Sequence, residues 1–69
     1  MQQTFEITIY NEQVRVCVQN GDHHKDLSDG WGDSHYIEFK AEDEAAAIAK
    51  CECKYPQAQG FVVESVLPA

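Results

Sequence analysis

Two runs of alternating apolar and polar residues lie close together near the start of the chain. In the first run, from Thr4 to Tyr10, every second residue is apolar, and in the second run three valines alternate with other residues up to Val18. Such alternation is typical of β-strands that bury one face. Asn11 is a common turn residue, and a loop that starts there places the apolar residues of both runs opposite one another. The sequence therefore predicts a β-hairpin over residues 4–18.

The rest of the chain is expected to form a loop, a strand, a helix and a last strand, at residues 19–34, 35–41, 43–55 and 61–67. The helix is indicated by an alanine-rich segment that follows Asp43, a typical N-cap residue, and that stops before Pro56. The apolar run that begins at Phe61 is nearly continuous, which favours a strand that is covered on both sides or central in its sheet.

These elements predict an α+β fold with the order β-β-β-α-β. We expect a two-layer sandwich in which one helix packs on one face of a four-stranded, mostly antiparallel sheet. A chain of 69 residues has room for one hydrophobic core only, so residues 1–69 are expected to form a single domain.

Charge restricts the possible partners. Twelve acidic residues against five basic ones give a formal net charge of −7. Direct binding to nucleic acid requires a basic stripe, which this sequence lacks, and an anionic membrane surface is disfavoured for the same reason. An acidic protein is instead steered towards basic protein surfaces, including the nucleic-acid-binding surfaces of other proteins. The alternative is that the acidity only maintains solubility.

The chain is expected to reside in the cytoplasm. Its start lacks the basic and apolar regions of a signal peptide, and no apolar stretch is long enough to span a membrane. Three cysteines are an odd number, and the spacing of Cys51 and Cys53 would close a strained ring if they were oxidised. All three are therefore expected to be thiols in a reducing compartment.

The segment from His23 to His35 concentrates residues that could bind a metal or catalyse a reaction. The possible zinc ligands are His23, His24, His35, Cys17, Cys51 and Cys53, but their spacing does not match that of structural zinc sites. An EF-hand alignment on Asp29-Gly30 places Lys25, Leu27 and Tyr36 where oxygen ligands are required. No nucleophile elbow or phosphate-binding glycine loop is present either. The sequence therefore predicts neither a metal, nor a cofactor, nor an enzymatic activity.

A surface for partner binding is the interpretation we favour for this segment. Aspartates recur every three or four residues through it, and a second acidic cluster follows the strand at 35–41. Trp31 lies between two glycines and has the aromatic character of an interface anchor. The alternative is that Trp31 and Leu27 fold the loop back onto the core. The predicted partner-binding residues are Asp22, Asp26, Asp29, Trp31, Asp33, Glu42, Asp43 and Glu44.

In size, acidity and fold content, the whole chain resembles the small inhibitors that bacteriophages and mobile elements encode. It is similar in particular to anti-CRISPR proteins, several of which resemble DNA and occupy basic grooves of Cas effector subunits. The resemblance involves no shared motif, so it transfers no functional residue. It implies a host bacterial cytoplasm and a steric and electrostatic mechanism, in which the protein covers a basic patch of a Cas subunit and excludes nucleic acid.

Two alternatives remain open from the sequence. One is a self-associating accessory domain of a prokaryotic family, which pairs through an exposed sheet edge as a weak homodimer. The other is a small metal-binding domain that uses the histidines and cysteines. The contact surface is also open, because the second face of the sheet carries Tyr10, Arg15 and Tyr36.

Overall fold

The computed structural model describes residues 2–69 and contains three strands and two helices. In chain order these are β1 (Gln3–Asn11), α1 (Glu12–Gln19), β2 (His35–Ala41), α2 (Glu44–Lys54) and β3 (Phe61–Pro68). Short 3-10 helices at Asp29–Gly32 and Gln57–Gln59 lie in the connections that precede β2 and β3.

The three strands form one antiparallel sheet in the order β2-β1-β3. The central residue Ile7 of β1 lies opposite Ile37 on one side and opposite Val66 on the other. The register between β1 and β3 shifts between Thr8 and Ile9, which marks a β-bulge. Because β1 is central, both β2 and β3 are edge strands.

The core lies between one face of the sheet and α2. Phe5, Ile7 and Ile9 alternate along β1 and are buried, and Ala47 and Cys51 of α2 pack against them. Small side chains on α2 let the helix approach the sheet closely, which is how a chain this short obtains a packed interior.

Helix α2 forms where the sequence indicates. Asp43 is its N-cap, and the Asp43 carboxylate accepts a hydrogen bond of 2.8 Å from the backbone N–H of Ala46. Alanines in the first turns favour the helix, and Pro56 follows the C-cap residue Tyr55. The expected strand at 35–41 coincides with β2, and the expected strand at 61–67 coincides with β3 except at its last residue.

The predicted hairpin over residues 4–18 is wrong. Its first strand exists as β1, but residues 12–19 form α1 instead of a second strand. Asn11 is the N-cap of this helix rather than a turn residue, since its Oδ1 accepts a hydrogen bond of 3.0 Å from the backbone N–H of Val14. The fold is therefore α+β, as expected, but with three strands and two helices rather than four strands and one helix.

The strand that begins at Phe61 also differs from the expectation, because β3 lies at the edge of the sheet rather than centrally. Phe61 is buried, but Val62 and Val63 are only half-buried. The apolar run reflects packing of the strand beside α2 and not coverage on both faces. Over residues 2–69, no helix is long and apolar enough to cross a membrane.

Candidate binding loop

Residues 20–34, which we call the acidic loop, connect the end of α1 to the start of β2. Helix α1 ends in a Schellman motif, in which Asp22 N–H donates to the Cys17 carbonyl (2.8 Å) and Gly21 N–H donates to the Val18 carbonyl (3.1 Å). Gly21 adopts the left-handed conformation that this motif requires (φ 76°). The motif turns the chain out of the helix at the end of the sheet where β1 finishes.

Histidines fix the path of the loop from within. Nδ1 of His24 accepts hydrogen bonds from the backbone N–H groups of Asp26 (3.1 Å) and Leu27 (3.2 Å). Since Nδ1 is an acceptor, the ring proton of the neutral imidazole is on Nε2, which lies 3.1 Å from the side-chain oxygen of Gln13 on α1. His35 Nε2 likewise lies 2.8 Å from the Gly30 carbonyl oxygen.

Trp31 fastens the loop to the core. Its ring centroid lies 4.4 Å from that of His35, 5.3 Å from that of Phe61 and 5.5 Å from that of Tyr55. Leu27 also packs against the core cluster. The sequence-based alternative, that these two residues fold the loop back onto the core, is thus confirmed. Trp31 is half-buried and positions the loop from beneath.

Arg15 ties α1 to the loop from the other side. Its Nε donates a 2.9 Å hydrogen bond to the Gly32 carbonyl, and its guanidinium carbon lies 3.6 Å from the centre of the Tyr10 ring. A Cβ on Gly32 would come within 3.3 Å of the Arg15 Cα, so the two backbones approach closely. Ser34 closes the loop by donating a 2.6 Å hydrogen bond to the Glu64 carboxylate.

The carboxylates of the aspartates contribute little to the contacts that hold the acidic loop in place. Asp22, Asp26, Asp29 and Asp33 are all exposed. The carboxylate of Asp29 contacts His23, whereas none of the side-chain hydrogen bonds of the described chain uses the carboxylates of the other three. The pair of His23 with Asp29 is also the single ion pair found within residues 2–69. The loop therefore presents three exposed carboxylates that its own structure does not use.

The pair of His23 and Asp29 makes the loop sensitive to pH. Nδ1 of His23 lies 2.8 Å and 2.9 Å from the two Asp29 oxygens. This hydrogen bond, and then the Asp29 charge, raise the pKa of His23 above its ordinary value of 6.5. Because the folded-state pKa is the higher one, the stabilisation is complete below pH 6.5 and is lost as the pH rises through the raised pKa.

We therefore expect the midpoint of His23, followed by the NMR shift of its ring protons, to lie above 6.5 in the native protein. In Asp29→Asn the hydrogen-bond acceptor has no charge, so the midpoint should fall towards 6.5. His24 supplies the internal reference within the same spectra. An unchanged His23 midpoint in the variant would contradict the ion pair.

The second predicted acidic cluster lies elsewhere. Glu42, Asp43 and Glu44 follow the end of β2, whereas the acidic loop joins its beginning. Six residue steps of strand separate the two, which is about 20 Å at roughly 3.3 Å per residue. The carboxylate of Asp43 is engaged as the α2 cap, while Glu42 and Glu44 are exposed. The four loop aspartates and Trp31 thus lie in one segment of the chain, and the structure places the second cluster at the opposite end of β2.

The possible metal ligands are dispersed. Across residues 2–69, no group of three or more His, Cys, Asp or Glu side chains is placed to share a metal ion. All three cysteines are free thiols, with Cys51 buried, Cys17 half-buried and Cys53 exposed. Burial of Cys51, reinforced by the charge of Glu52, raises the pKa of its thiol, which keeps the thiol protonated and unreactive.

A cavity of about 470 Å³ opens between α1 and the acidic loop, and its lining includes Arg15, Val18, Asp29 and Asp33. Sequence reasoning missed the supporting roles of Arg15, Gln13 and Glu64, because each is distant in sequence from the loop residue that it contacts.

Comparisons with protein-family models, with curated proteins and with solved structures returned no match.

Proposed function

We propose that this chain is a small acidic, non-enzymatic binding protein that covers a basic nucleic-acid-binding surface of a partner. A phage or mobile-element inhibitor that acts on a CRISPR–Cas effector subunit in the bacterial cytoplasm is the specific form of the proposal. The protein would exclude nucleic acid sterically and by charge, without any chemical step.

The observation that carries the proposal is that the loop is held in place by groups other than its carboxylates. His24, Trp31 and Arg15 fix the backbone, while the carboxylates of Asp22, Asp26 and Asp33 form no hydrogen bond or ion pair within the described chain. Neighbouring like charges repel each other, and the fold of residues 2–69 contains no interaction of these three carboxylates that compensates for the repulsion. Lysines and arginines of a basic partner would relieve that repulsion and would meet aspartates on a backbone that is already ordered.

Overall charge supports the same partner class. Eleven of the twelve carboxylates are exposed, and the described chain pairs only one of them with a basic group. Such a surface accelerates encounter with a basic protein and discourages binding to nucleic acid itself. The cavity beside the loop is lined by two carboxylates, of Asp29 and Asp33, and by one basic side chain, that of Arg15, so its lining is acidic on balance. Glu42 and Glu44 are assigned at most a peripheral role, because they lie at the other end of the sheet.

The experiment compares three immobilised baits in a nuclease-treated bacterial lysate, with washes of increasing salt. The first bait is the native chain, and the second carries Asp22→Lys, Asp26→Lys and Asp33→Lys. The matched control carries Glu38→Lys, Glu42→Lys and Glu44→Lys, which changes the net charge equally at exposed positions outside the loop. Circular dichroism establishes that all three are folded.

We expect the native chain to retain a basic nucleic-acid-binding protein that elutes between low and moderate salt, because charge-led contacts are screened over that range. The loop variant should lose that protein by about 100-fold, as several charge pairs are reversed at once. The control should retain most of it. Equal losses in both variants would show that net charge, rather than the acidic loop, governs binding, and would refute the assignment.

A further inference from the structure

The outer edge of β3 is not paired with another strand in the described chain. Since the sheet order is β2-β1-β3, one side of β3 is paired with β1 and the other is open. In the part of the chain that the structure describes, no backbone hydrogen bond from another element reaches this outer edge. An open edge presents a row of N–H and C=O groups that can pair with a further strand.

A groove accompanies this edge. It has a volume of about 350 Å³, lies between α2 and β3, and is lined mainly by Ile9, Ile48, Glu52, Tyr55, Phe61 and Val63. Ile48 and Glu52 of α2 are four positions apart and share one flank of the helix, and the C-cap residue Tyr55 follows them. The adjacent face, with Ala47 and Cys51, is buried against the sheet. Helix α2 therefore covers the sheet without covering the edge strand, and the groove is what remains open.

The spacing of the groove matches an extended chain. Ile48 and Glu52 are one helical turn apart, which is about 6 Å along the helix axis. Alternate residues of a strand lie about 6.6 Å apart and point to the same side. A strand added to β3 that runs along this flank of α2 would direct one side chain to the apolar floor beside Ile48 and the next inward side chain to Glu52 and Tyr55.

The charge of the groove favours a basic residue at the position beside Glu52 and Tyr55. Glu52 is exposed, and among the described residues that line the groove it is the only charged one. The neighbouring Tyr55 ring offers a face for a cation, and Lys54 already approaches it at 5.8 Å. A carboxylate next to an aromatic ring is a suitable environment for a guanidinium or ammonium group.

We infer that the groove between α2 and β3 binds an extended segment of a partner protein by strand addition, with an apolar residue two positions from a lysine or arginine. A second copy of this chain is a poor occupant. Pairing two β3 strands antiparallel around their midpoint brings the two Glu64 residues close together, and each chain carries a net charge of −7. This inference is independent of the loop aspartates, and each of the two surfaces can fail without the other.

Selection of random nonapeptides displayed on phage, with the native chain as bait, tests the inference. Enriched peptides are synthesised, and their affinity is measured by fluorescence polarisation for the native chain, Glu52→Arg and Glu38→Arg. Glu38 is the matched control, since it is exposed on β2 and the substitution changes the charge equally. Both substituted positions are exposed, so both variants should remain folded.

We expect the enriched peptides to carry an apolar residue two positions from a basic one and to shift the NMR amide signals of residues 61–67. Glu52→Arg should weaken their binding by about tenfold or more, because an attractive pair becomes a repulsive one, and Glu38→Arg should change it by less than about twofold. Failure to enrich any peptide would overturn the inference. So would equal weakening by both variants, or shifts confined to residues 20–34, and none of these results would bear on the loop's proposed partner.

Discussion

Replacement of Asn11 by alanine is expected to destabilise the fold by about 1–3 kcal/mol. Asn11 is fully buried and joins two elements through its amide. Its Oδ1 caps α1, and its Nδ2 donates a 3.0 Å hydrogen bond to the Gln59 carbonyl in the connection before β3. Loss of an N-cap costs about 0.5–2 kcal/mol, and loss of the part-buried hydrogen bond to Gln59 costs about 0.5–1.5 kcal/mol.

This is a large loss for a chain of this size, whose total stability at roughly 0.05–0.15 kcal/mol per residue is on the order of 3–10 kcal/mol. Urea denaturation followed by circular dichroism measures it. Asn20→Ala is the control, because Asn20 is exposed at the other end of α1 and its side chain forms no hydrogen bond within the described residues. A loss below about 1 kcal/mol in Asn11→Ala would contradict the buried capping arrangement.

The second large effect is expected at Gly60. This residue has a φ of 96°, and an added Cβ would lie 2.9 Å from the Asn11 Oδ1 and 2.7 Å from the Gln13 Cγ. The left-handed conformation alone costs a non-glycine residue about 1–2 kcal/mol. The Gln13 side chain is exposed and can move, but Asn11 is buried and held by its two hydrogen bonds. We therefore expect Gly60→Ala to destabilise by about 3 kcal/mol, the contact with Asn11 adding to the backbone strain.

The variant Gly21→Ala distinguishes the backbone strain from the contact with Asn11. Gly21 also has a positive φ, of 76°, but nothing lies within 4 Å of a Cβ placed there. Gly21→Ala should therefore cost only the conformational part, about 1 kcal/mol, and the difference between the two variants in thermal and urea denaturation measures the contact at Asn11. Equal losses in both variants would mean that the chain around Asn11 yields to the new methyl group.

The helix that sequence reasoning missed shows where local patterns fail. The alternation of Val14, Val16 and Val18 is typical of a strand, and β-branched residues favour strands. In α1 only Val14 is buried, while Val16 and Val18 are 43% and 46% exposed, so the apolar pattern does not report burial here. The helix is determined by its ends, where Asn11 caps one and Gly21 terminates the other. Both residue types are recognisable in the sequence as helix boundaries, but the valines between them favoured the other interpretation.

The position of β1 was also beyond local reasoning. A hairpin over residues 4–18 requires one side of β1, yet in the structure β2 and β3 occupy both sides. Strand order is decided by which long-range pairings bury the most apolar surface, and this information is not contained in a short window. Helix α2, in contrast, carries its own signals in Asp43, the alanines and Pro56, and it was predictable for that reason.

The acidic loop was predictable as a segment but not as a structure. Its aspartates and Trp31 are visible in the sequence, whereas its shape depends on Gln13, Arg15 and Glu64 from other elements. The distance between the loop and the cluster at Glu42 and Glu44 likewise follows from the strand that joins them. The charge pattern along the sequence therefore identifies the two acidic clusters but not the distance between them.

Competition with nucleic acid tests the central claim most directly. The partner captured on the immobilised native chain is washed at constant low salt with an excess of a single-stranded or double-stranded DNA oligonucleotide. If the acidic loop occupies a nucleic-acid-binding surface, the oligonucleotide should release the partner at a salt concentration that leaves the partner bound when no oligonucleotide is present. If the partner binds the oligonucleotide and still remains on the immobilised chain, the result contradicts the account. Capture of nothing but further copies of this chain would also contradict it.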